Sequence, residues 1–183
     1  MKFLDAIFKK KKGTETTANT PVSKSKEAQS LKELEGFLCK LQESDHYIAR
    51  SEYYEQVGGY AETVSFMRKM DGEDMLEDFC SKNGLSPENV QELCTNYENI
   101  ISFVDNINEN YLSRKKQEEK EYLDNILKDI DPDICLDENQ REVILSDEDY
   151  GLVVAGAGAG KTTTVAAKVK YWWRNNILIR YRF

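Results

Sequence analysis

The chain has 183 residues, of which 40% are hydrophobic and 32% charged, with a formal net charge of −8. This favours a folded, soluble chain over a disordered one and argues against a surface coated in nucleic-acid-binding charge, while leaving room for a local basic face. No run reaches the ~18 apolar residues of a membrane span, and the start, Met1 to Phe8, is too short for a signal-peptide core and is interrupted by Asp5.

Residues 1–12 join an apolar cluster (Phe3, Leu4, Ile7, Phe8) to four lysines, Lys9 to Lys12. They read either as a weak anchor for an anionic membrane or nucleic acid, or as a solvated terminus. The second is preferred, because one short patch binds only marginally. Residues 13–27 are rich in Thr and Ser, contain Pro21 and lack periodicity, as a flexible linker does. The chain thus opens with a basic tail and linker over 1–27.

From about residue 28 the apolar period is helical. Leu31, Leu34, Leu38 and Leu41 share a face, Gly58-Gly59 interrupts the pattern, and Val64, Met67, Leu76 and Phe79 suggest two more short helices. Gly84 suits a helix C-cap. Ser86-Pro87-Glu88 is a helix start: a capping hydroxyl, a proline fitted to the first turn and an acid suited to the dipole. Behind it Val90, Leu93, Tyr97, Ile101, Val104, Ile107 and Tyr111 predict one long amphipathic helix. The polar stretch 113–121 continues it, Leu123, Ile126 and Leu127 resume the stripe, and Asp131-Pro132 closes it. The expectation for 28–130 is a helical, coiled-coil-like region whose stripes pack on one another.

Composition changes at 131. Leu136 to Leu145 predicts a short helix with an acidic start, Asp147-Glu148-Asp149 a polar turn, and Leu152-Val153-Val154 a buried parallel strand. Ala155-Gly156-Ala157-Gly158-Ala159-Gly160-Lys161-Thr162-Thr163 follows, then Val165, Val169 and Trp172 at helical spacing. Strand, glycine loop and helix in that order suit a nucleotide triphosphate. Small residues let the backbone approach the phosphates, and their N–H groups make an anion nest. The helix start adds its positive end, Lys161 reaches the β- and γ-phosphates of ATP, and the Thr162 hydroxyl is placed to ligate Mg²⁺. The one departure from G-x-x-x-x-G-K-[ST] is Ala155 in the first position.

With these residues in view, the sequence resembles UvrD/Rep-type superfamily 1 DNA helicases, and within them the helicase IV branch. Leu136 to Ile144 is similar to the family's Q motif and Leu152 to Thr164 to its motif I, where Ala is usual at the position of Ala155. The resemblance covers about residues 131–172. It implies that 131–183 begins a RecA-like α/β ATP-binding domain, in which Gln140 reads adenine. It also implies ATP hydrolysis coupled to translocation on single-stranded DNA and duplex unwinding. The family needs further motifs, among them a Walker B acid pair, and the acids 147–149 come before the expected strand rather than after a later one. The expectation is therefore a truncated product, inactive alone. Two alternatives stand beside it: a non-catalytic helical module that binds a protein such as RNA polymerase and carries a vestigial nucleotide loop, and another P-loop ATPase such as a transporter or kinase subunit. Gln140 upstream of the loop favours the helicase over the latter. The basic residues of 161–183 (Lys161, Lys168, Lys170, Arg174, Arg180, Arg182) read as DNA-backbone contacts or as a solvated face, the second preferred.

Overall fold

A computed structural model describes residues 25–175, so the tail, most of the linker, Ile177-Leu178-Ile179, Arg180 and Arg182 lie outside the described residues. Among the described residues there are nine helices: α1 (Lys26–Gln42), α2 (Arg50–Gly58), α3 (Ala61–Gly72), α4 (Leu76–Asn83), α5 (Pro87–Glu98), α6 (Ile100–Glu118), α7 (Lys120–Asn125), α8 (Glu138–Leu145) and α9 (Lys161–Arg174). None is long and apolar enough to cross a membrane.

Local chemistry sets many of the boundaries. Ser25 Oγ accepts from Ala28 N at the start of α1, and Ser86 Oγ accepts from Asn89 N ahead of Pro87 at the start of α5. Gly84 ends α4 with φ +66°, which places Leu85 N on Cys80 O at 2.9 Å. The expected long helix beyond Ser86 is divided. Asn99 (φ −107°, ψ 30°) separates α5 from α6, and its Nδ2 donates to Thr95 O at 2.9 Å. An asparagine that bonds the backbone locally competes with helix continuation. Glu119 makes a similar break before α7.

The side chains gather in two clusters. Leu31, Leu34, Ile48, Met67, Cys80, Val90, Cys94 and Val104 belong to the first, drawn from α1 to α6. Leu112, Leu123, Ile126, Leu127, Leu136, Ile144, Leu145, Ala167 and Tyr171 form the second. Several short helices thus share each core, rather than two long helices sharing one seam. Helix α6 runs through both, giving Val104 to one and Leu112 to the other. The cysteines are all free. Cys80 and Cys94 are buried, Cys39 is half-buried and Cys135 is exposed. Burial pushes the Cys94 thiol up to about 11.

The α/β expectation needs correction. No strand occurs among the described residues: Leu152 to Ala155 have no ladder partner, and Leu152 and Val154 are 90% and 86% exposed. A strand exists only by pairing, and no described segment runs beside this one. The described chain is helical, and nothing in it makes the start of a RecA-like sheet.

One buried polar residue fixes the loop between α1 and α2. Asn108 of α6 is 5% exposed; its Oδ1 accepts from Ile48 N at 2.8 Å and its Nδ2 donates to Ile48 O at 3.0 Å. Asn108→Ala leaves both backbone groups unsatisfied. It is expected to cost about 1–3 kcal/mol in urea unfolding followed by circular dichroism; a loss below about 0.5 kcal/mol would show that the loop finds other partners.

Candidate functional site

The site is assembled from the ends of α8 and α9. Asp137 begins α8 with a reciprocal cap: its Oδ1 accepts from Gln140 N at 2.8 Å, and Gln140 Oε1 accepts from Asp137 N at 2.9 Å. Arg141, one residue on, is buried; its Nη2 donates to Asp124 Oδ1 at 2.6 Å and its Nε to Leu136 O at 3.1 Å. That ties α8 to the end of α7 and holds the Asp124 carboxyl below its usual range.

The cap fixes where Gln140 points. Its Nε2 donates to Ala159 O at 3.4 Å, and a Cβ added at Gly160 would lie 2.5 Å from that nitrogen. The amide group therefore rests against the glycine loop. Gly158 and Gly160 have φ +76° and +73°, in the left-handed region that side chains avoid. Gly160 is also where α9 begins: Thr164 N donates to Gly160 O at 2.8 Å, and Thr164 Oγ1 bonds the same oxygen at 3.0 Å. Gly156 and Gly158 face open space where a Cβ would stand.

Lys161 is the first residue of α9 and curls over the loop, its Nζ donating to Ala155 O and Gly156 O, both at 2.7 Å. Thr162 is exposed on the first turn and Thr163 half-buried beside it, while Ala157 sits exposed at the loop tip. The residues singled out in the sequence thus meet in one place: Gln140 from α8, the loop 155–160, and Lys161, Thr162 and Thr163 from α9. Among the described residues no group of three His, Cys, Asp or Glu side chains is placed to hold a metal ion.

Two features were not foreseen. The Nζ of Lys168, on the second turn of α9, donates to Val143 O and Ser146 O at 2.6 Å each, closing the C-terminal end of α8. Burial lowers its pKa, partly opposed by Asp147, and the ammonium lies 5.0 Å from the Trp172 ring centre. The other cations of α9 also have partners within the chain. Lys170 pairs with Asp129 at 2.7 Å, and Arg174 pairs with Glu119 at 2.7 Å and lies 4.0 Å over Tyr122. The second feature is the destination of the acidic turn. Glu148 Oε1 accepts from Arg50 N at 3.0 Å, and Asp149 accepts from Ser51 N at 2.8 Å and Ser51 Oγ at 2.9 Å. These acids satisfy the first turn of α2.

Residues 136–179 match the family model of the UvrD/REP helicase N-terminal domain. This segment is of the UvrD/Rep helicase type. No curated protein and no solved structure matches the chain. The UvrD/Rep match begins at Leu136, just before the cap that aims Gln140, and takes in the glycine loop and all of α9.

Lys168→Met keeps the stem over Trp172 and removes both bonds to the α8 carbonyls. It is expected to lower stability by about 1–3 kcal/mol, read as an earlier unfolding midpoint in tryptophan fluorescence. An unchanged midpoint would mean that water serves those carbonyls equally well.

Proposed function

We propose that the loop 155–160 with Lys161 binds the phosphates of ATP, and that the chain is the ATP-binding portion of an ATP-dependent DNA helicase, in the manner of the helicase IV branch. The observation that carries this reading is the convergence of Gln140 and Lys161, 21 positions apart, on one glycine loop. Residues 156–159 are exposed and a helix begins at the end of the loop, so an anion there would meet backbone N–H groups and a positive helix end.

Each residue has a role in this reading. Lys161 exchanges its carbonyl partners for β- and γ-phosphate oxygens. Gln140 uses one lone pair and one N–H within the protein, which leaves one acceptor and one donor, the pair that the adenine edge requires. Ala155, Gly156, Ala157, Gly158, Ala159, Gly160 and Thr163 supply the cradle. The Thr162 hydroxyl would hold Mg²⁺, which takes few protein oxygens alongside phosphate and water and, when bound, neutralises charge on the phosphates. The chain divides in this reading at 1–27, 28–130 and 131–183, works in the cytoplasm and meets single-stranded DNA. A protein partner of the helical region is compatible with it. Glu148 and Asp149 are engaged with the first turn of α2 rather than placed to polarise an attacking water.

Binding without turnover is therefore the expected behaviour. The full chain should bind a fluorescent ATP analogue with Mg²⁺, and Lys161→Ala should weaken that binding about 10-fold to 100-fold through loss of a charged hydrogen bond. Steady-state ATP hydrolysis should stay at background with or without single-stranded DNA. Turnover that Lys161→Ala abolishes would contradict the account of the acids; equal binding by both proteins would contradict the role of the lysine.

A further inference from the structure

Helix α2 begins with a deficit. Its N-cap is Ala49, which has no side-chain oxygen, so the usual local acceptor for the first free amides is missing. Glu52 reaches back to Ala49 N at 2.9 Å, but Arg50 N and Ser51 N are left. The oxygens that satisfy them come from Glu148 and Asp149, 98 residues away in sequence. Asp149 also takes the Ser51 hydroxyl, so three hydrogen bonds join this turn to α2.

The other side of the same turn is equally fixed. Lys168 grips Val143 O and Ser146 O, five and two residues upstream of Glu148, so the stretch 143–149 is pinned by α9 on one side and α2 on the other. Beyond it Tyr150, Leu152 and Val154 are 94%, 90% and 86% exposed, and among the described residues no backbone–backbone hydrogen bond holds 150–154. Asp149 is thus the last anchored residue before the glycine loop, six positions ahead of Ala155.

We propose that Glu148 and Asp149 are positioning residues for the glycine loop, with the first turn of α2 as the fixed post that holds them. A chain tethered six residues from the loop explores far less space than one released at Ser146. The helical region is then part of the loop's support, and an event that occupies or disturbs the first turn of α2 loosens the loop entry. By linkage, a ligand bound at the loop favours the latched state. That last consequence rests on the proposed nucleotide reading; the latch itself does not.

Chymotrypsin cleavage after Tyr150 and Leu152 tests the latch without nucleotide, with the cut sites identified by mass. Asp149→Ala removes the acceptor for Ser51. Arg50→Pro removes the donor to Glu148, yet suits α2, since proline fits the first helical position and the preceding Ala49 is extended (φ −74°, ψ 156°). Both variants are expected to be cut at 150 and 152 about threefold to tenfold faster than wild type, because local opening governs such cleavage. In Arg50→Pro the rate at Tyr53 and Tyr54, inside α2, should not change, which separates a released turn from an unfolded helix. Asp149→Asn, whose amide oxygen still accepts from Ser51, should restore a near-wild-type rate. Wild-type rates at 150 and 152 in both disruptive variants would overturn the proposal and make the acids caps for α2 alone. Titration of an ATP analogue into the same proteins is read separately: no binding by wild type sinks the nucleotide reading and leaves the cleavage result to decide the latch.

Discussion

The packing of α8 on α9 is the contact on which the rest of the site depends. Ile144 and Leu145 from one helix and Ala167 and Tyr171 from the other lie in one buried cluster. That burial brings Gln140 and Lys161 to the same loop. Lys168 makes the pairing specific, because an ammonium that satisfies two helix-end carbonyls fixes both the register and the distance between the helices. A half-buried ammonium that lost those carbonyls would be poorly solvated, which disfavours sliding.

Around this pair the structure is closed by polar contacts that reach far along the chain. Arg141 bonds Asp124 on α7, Asn108 bonds Ile48 across 60 residues, and the acidic turn bonds α2 across 98. The exposed ion pairs, such as Arg68 with Glu98, add little stability in water. Their value lies in orientation: Lys170 with Asp129 and Arg174 with Glu119 tie α9 to the residues that flank α7 on either side. Lys168, Lys170 and Arg174, which the sequence offered as part of a basic face, are thereby engaged within the protein.

Much of this was legible in the sequence where chemistry is local. Ser86-Pro87, Gly84 and the acidic start of α8 each name a boundary through a cap that acts within a few residues. The glycine loop ahead of α9 was legible because Gly158 and Gly160 suit its left-handed backbone, whereas Gln140, which the structure sets beside that loop, was singled out only by the resemblance. Three features were not. The stripe from Val90 to Tyr111 looks continuous because periodicity does not register Asn99, whose side chain bonds the backbone and ends α5. Asp147 to Asp149 looks like a polar turn because a cap supplied from 98 residues away leaves no local mark. Leu152 to Val154 reads as a strand because its composition is apolar, whereas a strand also requires a neighbour, which composition does not report.

Phosphate binding at the glycine loop can be followed in the backbone amide spectrum of the full chain while Mg²⁺ and ATP are added. The amides of Gly156, Gly158, Ala159, Gly160 and Lys161 are expected to shift first and furthest, with those of α3 to α5 unmoved. Shifts centred elsewhere, or none at millimolar nucleotide, would contradict it.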